Sequence, residues 1–155
     1  MKITIAAVGK PRDAALAAAI QEYETRAARY WPLDFVEVRA EPGAGRSPEQ
    51  VREREGDRLR AALPAGAVVW LCDSDGVTRS SEEFAAWLQQ VRERARDIAV
   101  VIGGAFGLGQ AIRSNATGSL SLGPMTLAHE IARLVLAEQL YRAGTIVRGE
   151  PYHKS

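Results

Sequence analysis

Apolar positions along this chain change period several times, and each change predicts an element. Lys2 to Val8 is a β-rich run ending at Gly9-Lys10-Pro11. Asp13 to Tyr30 then carries Ala, Leu, Ile and Tyr at helical spacing until Trp31-Pro32 stops it. "DFVEVRA" alternates like a half-buried strand, and "EPGAGRSP" after it reads as a flexible loop. Ser47, with Pro48 at the first helical position and Gln50 three residues on, predicts a capped, charged helix to about Leu63. "AVVWLC" is a third strand ending in the turn "DSDG". Ser80-Ser81-Glu82-Glu83 holds a capping box for a helix to about Ala95, and "IAVVI" is a fourth strand. "GSLSLG" supplies a short fifth, and Thr126 to about Ile146 is the longest helical pattern. Strands alternating with helices predict an α/β fold, with parallel pairing and crossover helices on the faces.

The fourth strand runs straight into "GGAFGLG". Glycines so placed let a ligand approach the main chain, yet two familiar phosphate loops fail here. Gly103, Gly104, Gly107 and Gly109 lack the G-x-G-x-x-G spacing, since Ile112 stands at the last position. A P-loop would need lysine and a hydroxyl where Gln110 and Ala111 stand. In α/β sheets, ligands sit beyond the carboxyl ends of strands. Three segments meet that condition: Leu71-Cys72, the loop from Gly103 to Gly109, and "LGPMTLA" from Leu122 to Ala128. Arg113 is the only ionisable residue from Ile98 to Ala128, so a pocket there would grip its ligand through backbone groups in an apolar setting. That suits an adenosine-like ligand better than a polyphosphate. The plain alternative is that the glycines and Pro124 merely turn corners.

On a helical wheel, Leu127, Ile131, Leu134 and Val135 form one stripe that also holds Glu138 and Arg142. Leu136 and Leu140 lie opposite, beside His129 and Arg133. A helix apolar on two sides needs two partners, which predicts the sheet on one side and a second subunit on the other. Glu138 and Arg142, spaced i, i+4, read either as a surface ion pair worth ~0.2–0.5 kcal/mol or, among such apolar neighbours, as part of a site. The chain ends "RGEPYHKS", and composition alone favours a frayed tail. Tyr152 nevertheless offers a stacking face, and His153 an imidazole.

Composition constrains partners more than fold. With 155 residues, of which 46% are hydrophobic, one domain with a sizeable core is expected. Charge is balanced, 20 basic against 19 acidic residues, so any RNA contact must rest on a local patch. Two distant histidines and a lone Cys72 make no metal-ligand set and no disulfide framework. "MKITIAAVGK" is too short an apolar stretch for a signal-peptide core, and the ~18 uninterrupted apolar residues of a membrane span do not occur. A cytoplasmic protein without membrane or metal partners is the expectation.

"MKITIAAVGK" at the start, "VVIGG..GL" in the middle and "SLSLGPMTLAHEIARLVLAEQLYRA...RGEPYHK" at the end resemble the ribosomal RNA large subunit methyltransferase H family, of the SPOUT class. The resemblance implies a parallel-sheet SPOUT fold over residues 1–155, with a C-terminal trefoil knot and cofactor site within about 67–155. It implies a homodimer, S-adenosylmethionine as methyl donor, and as acceptor the N3 of a pseudouridine in large-subunit ribosomal RNA; the balanced charge, too weak for strong binding to free RNA, adds the expectation that assembled ribosomes are the substrate. Carried over by position, the cofactor residues are Leu71, Cys72, Gly103, Gly104, Gly123, Pro124, Met125, Thr126, Leu127 and Ala128. Arg142, Tyr152 and His153 match positions near the acceptor, with the tail serving the partner subunit's pocket. Two positions depart from the family's pattern. Ala105-Phe106 replace small, polar or proline residues, which leaves Phe106 either packed under the loop or pointed at RNA, and Ala128 stands where proline is common. In this reading Arg142 stabilises negative charge on the acceptor and His153 is the candidate base. The rival readings are a dimer that binds S-adenosylmethionine without transferring methyl, and an RNA-binding dimer without cofactor.

Overall fold

A central parallel sheet organises residues 1–154, which the structure, a computed structural model, describes. Its strands are β1 (Ile3–Val8), β2 (Leu33–Val38), β3 (Val68–Thr78), β4 (Ile98–Ile102) and β5 (Gly118–Ser121), in the order β2-β1-β4-β3-β5. Every pairing is parallel. Such a sheet must be covered on both faces, and β1 and β4 are buried at every position.

The helices are α1 (Ala14–Ala27), α2 (Pro48–Ala62), α3 (Ser81–Glu93), α4 (Gln110–Ser114) and α5 (His129–Arg148). On one face α5 packs between α1 and α3, and on the other α2 packs with α4. Alternation along the strands divides the core accordingly. Ile3, Ile5, Val100 and Ile102 join Leu136 and Leu140 of α5, whereas Ala6, Val8, Leu71 and Val101 join Leu59 of α2 and Ile112 of α4.

Both capping boxes form: Ser47 accepts from the Gln50 amide and Ser80 from the Glu83 amide, with each side chain returning the bond. Trp31, expected as a helix stop, is also a core residue whose indole donates to the Leu140 carbonyl at 2.8 Å.

Three details differ from the sequence expectation. "DSDG" is not the end of β3 but a bulge within it, because Cys72 and Val77 both align with Leu120. Gly76 permits this, since a Cβ there would lie 2.8 Å from the Leu120 backbone. The short α4 has too few residues to show a helical period and was not expected. The last helix begins at His129, which leaves Thr126 to Ala128 in the preceding loop. Arg133, on the wheel beside Leu136, is buried and bonds Glu24 of α1 at 2.8 Å and Glu37 of β2 at 3.1 Å, so α5 is tied to both elements.

Candidate active site

At the carboxyl ends of β3, β4 and β5 lies a cleft of about 460 Å³. That volume falls in the range of small-ligand sites, ~300–1,000 Å³. Cys72, the loop from Gly103 to Leu108, and Gly123 to His129 supply most of the wall. Of the ten positions expected to hold a cofactor, Cys72, Gly103, Gly104, Gly123, Met125, Thr126, Leu127 and Ala128 line this cleft. Two do not. Leu71 points to the α2 side of the sheet because successive strand residues face opposite ways, and Pro124 is exposed outside the lining.

Backbone fixation explains how so plain a sequence holds a shape. The Ser121 hydroxyl accepts from the Gly123 amide at 3.1 Å and lies 2.9 Å and 3.1 Å from the carbonyls of Gly123 and Ser74. Gly123 has φ +135°, a conformation side-chain-bearing residues rarely take. In the glycine loop, the Gly107 amide donates to the Gly104 carbonyl at 3.0 Å, closing a tight turn. Phe106 at its tip is half-exposed, which removes the packed alternative. Ala128 caps α5 without any side-chain hydrogen bond.

Asp73 and Arg113, which sequence reasoning did not assign to the site, also line the cleft. Arg113 Nη1 lies 2.6 Å from Asp73 Oδ2, and its Nε donates to the Leu108 carbonyl at 3.1 Å. Burial pushes the Asp73 carboxyl up, but the Asp75 amide and Arg113 outweigh it and hold the group below the usual range. The pair therefore joins the β3 bulge to the glycine loop and leaves no uncompensated charge. The isolation of Arg113 in an otherwise uncharged stretch was the available signal. Burial, with the Asp73 charge adding, pushes the Cys72 thiol up to about 11.

Arg142, Tyr152 and His153 form a second group outside this lining. Glu138 Oε1 accepts from Arg142 Nε at 3.0 Å, Arg142 Nη2 at 2.7 Å and the Tyr152 hydroxyl at 3.0 Å. Its other oxygen accepts from Gln139 at 2.8 Å. The arginine lies over the Tyr152 ring, 4.8 Å from the centroid, and that ring packs on Tyr141 at 4.5 Å. Burial, then bonding with Tyr23 and Glu138, pushes the Tyr152 phenol up, so it is a neutral donor near pH 7. His153 Nε2 stands 2.7 Å from Glu82 Oε1. The tail is therefore docked through Lys154's neighbour rather than frayed, and Tyr30 also donates to Glu150. The Glu138–Arg142 pair forms as the spacing suggested, with a tyrosine as third member.

Arg142 is set apart from the cleft along α5. His129 at the start of α5 lines the cleft, and Arg142 is thirteen residues further along the same helix, a separation of about 20 Å at 1.5 Å per residue.

Among the described residues, no cluster of three or more His, Cys, Asp or Glu is placed to hold a metal, and no helix is long and apolar enough to cross a membrane.

A family model described as "Predicted SPOUT methyltransferase" matches residues 1–153. A protein of Gemmatimonas aurantiaca named "Ribosomal RNA large subunit methyltransferase H" is 61% identical, over 99% of this chain and 100% of its own. One of the same name from Anaeromyxobacter sp. (strain Fw109-5) is 45% identical, over 99% and 100%. The crystal structure of TrmJ from Z. mobilis ZM4 superposes with a TM-score of 0.53 at 16% identity, covering 97% of this chain and 72% of that one, a likeness of fold.

Proposed function

Because the chain belongs to the SPOUT methyltransferase family, we propose that it methylates large-subunit ribosomal RNA, taking the methyl from S-adenosylmethionine and placing it on N3 of a pseudouridine in the assembled ribosome. The observation that carries the cofactor reading is the cleft itself. It has backbone-lined, apolar walls, and its one ion pair is internally neutralised. A polyphosphate would find no unpaired guanidinium or ammonium in the lining; an adenosine finds amides, carbonyls and apolar contacts. When bound, S-adenosylmethionine would supply an electrophilic methyl on a sulfonium.

Cys72, Gly103, Gly104, Gly123 and Met125 to Ala128 would hold the cofactor, with Leu71 and Pro124 fixing the path of the backbone that carries them. The protein's remaining work is orientation, which supplies up to ~7–11 kcal/mol of a barrier. For N3 to act as nucleophile its proton must leave. His153 is the candidate base that takes the N3 proton, Arg142 would stabilise the negative charge left on the pseudouridine ring, and Tyr152 would stack on or donate to that ring.

The separation along α5 supports a homodimer in which one subunit's tail completes its partner's cleft. Leu127, Ile131, Leu134 and Val135 are all half-buried in the single chain, a stripe fit for a partner. The family's C-terminal knot, the single SPOUT domain over 1–155 and a cytoplasmic location belong to the same reading.

The test is transfer of labelled methyl from S-adenosylmethionine to ribosomes and to separated subunits, followed by nucleoside analysis. Labelled N3-methylpseudouridine supports the proposal. A cofactor that binds by calorimetry with no label transferred would leave a binding protein instead.

A further inference from the structure

Three arginines converge on Glu41, whose side chain is 3% exposed. Arg46 Nε and Arg54 Nη1 lie 3.1 Å and 3.5 Å from Oε1, and Arg58 donates to Oε2. One positive charge balances a carboxylate, so two are in excess, and exposed Arg39, whose carbonyl accepts from Arg58 at 3.0 Å, adds a third. The chain's formal net charge is +1, so a local +3 leaves −2 for everything else.

Glu55, whose Oε2 accepts from the Glu41 amide, offsets at most one of these charges, and the other nearby acids are engaged or turned elsewhere. Glu49, Glu53 and Asp57 are spaced i, i+4, i+8 and form a stripe of their own on α2, turned from Arg54 and Arg58 by about 100°. Glu53 accepts from the Gln110 amide, and Asp57 lies 3.7 Å from Arg60. Glu49 sits in the first turn of α2, and Glu55 is buried.

The cluster adjoins the cleft. The Glu41 amide donates to Glu55 Oε2 at 3.1 Å, and Glu55 Oε1 packs directly against Gly104 in the cleft wall. Arg54 is 57% exposed and makes a single long contact, so most of its donors face water. Guanidinium forks so presented match phosphate oxygens.

We propose that Arg39, Arg46, Arg54 and Arg58 form a docking surface for the phosphate backbone of RNA, flanking the cleft on its glycine-loop side. This rests on the reading that the substrate is RNA. Such contacts fix position without reading sequence, and they make binding steeply salt-dependent. They also give a chain of balanced charge a place where a polyanion is held.

The test uses the full chain with purified large ribosomal subunits, across a salt series. Arg39→Ala combined with Arg54→Ala leaves Arg46 and Arg58 on Glu41, so folding is retained. The expected result is at least tenfold weaker subunit binding near 100 mM salt and a salt slope lower by about two. S-adenosylmethionine affinity and kcat at saturating subunits stay unchanged, and Arg39→Lys with Arg54→Lys recovers most of the loss. Arg94→Ala with Arg96→Ala removes the same charge at the opposite end of the sheet and should have little effect. Equal effects of the two double variants, an unchanged slope, or loss of binding through dissociation of a dimer would each overturn the proposal. Salt-dependent binding at the cluster without methyl transfer would instead sink the enzymatic reading and keep the docking surface.

Discussion

Oε1 of Glu55 lies 2.7 Å from where a Cβ would stand on Gly104. The acid cannot swing away freely, since it is buried and its other oxygen holds the Glu41 amide. Gly104→Ala must therefore displace the loop that walls the cleft, an overpacking typically worth ~1–3 kcal/mol. We expect S-adenosylmethionine affinity to fall at least tenfold by calorimetry. Adding Glu55→Ala should recover part of it; no recovery would mean the clash is not the cause.

The same acid predicts a pH dependence. Burial holds the Glu55 carboxyl above its ordinary value; the charge of Glu41 adds to this, while the Glu41 amide, Arg58 and His129 oppose it. Between the ordinary and the raised value, the unfolded chain has lost a proton that the folded chain keeps. Stability contributed by this group is therefore full below the ordinary carboxylate value and falls as pH rises through that window. In denaturant titrations Glu55→Gln should gain on wild type as pH rises through the window and keep a constant offset from it on either side. Parallel curves throughout would contradict the assignment.

Glu138 anchors both Arg142 and Tyr152, so Glu138→Gln should release them without touching the cleft. The expected signature is a tenfold or greater fall in kcat for methyl transfer with cofactor affinity unchanged. A parallel loss of cofactor binding would place Glu138 elsewhere in the mechanism.

If two subunits build each site, lesions in different halves should complement. Gly104→Ala and Arg142→Ala, each of low activity alone, should regain about a quarter of wild-type turnover when mixed dimers form, because one statistical site in four is intact. Mixtures no more active than the parents would restrict the site to a single chain.

Cys72 lines the cleft with its thiol pushed up to about 11. That is a rise of about two pH units over an ordinary thiol, so the thiolate fraction at neutral pH is lower by about a hundredfold. Iodoacetamide at pH 7.5 should modify the folded protein far more slowly than the denatured chain. Comparable rates would show the thiol to be unburied.

Much of this was legible in the letters where local chemistry decides the outcome. Ser47 and Ser80 announced their helices because a capping box is complete within four residues, and β1 and β4 were readable because both faces are buried. The β3 bulge was not legible: "DSDG" has turn chemistry, and what keeps it within a strand is the distant backbone of Leu120. In the site, Cys72 and Leu71 are sequence neighbours that the pleat sends to opposite faces, and only pairing reveals which faces the cleft. Asp73 gave no sign of its arginine, since the partner comes from α4, an element of five residues. The docking of His153 was hidden because its partner, Glu82, lies 71 residues away in sequence.

Arg133 has a consequence for how the chain can vary. By bonding Glu24 and Glu37, it fixes the rotation of α5 about its own axis. One end of that helix borders the cleft and the other carries Arg142, so α5 serves as a ruler graduated in turns. Replacing a side chain leaves the graduation intact, but one residue inserted between Arg133 and Arg142 would turn the far end by about 100°. Homologues should differ freely in what decorates this segment and hardly at all in its length.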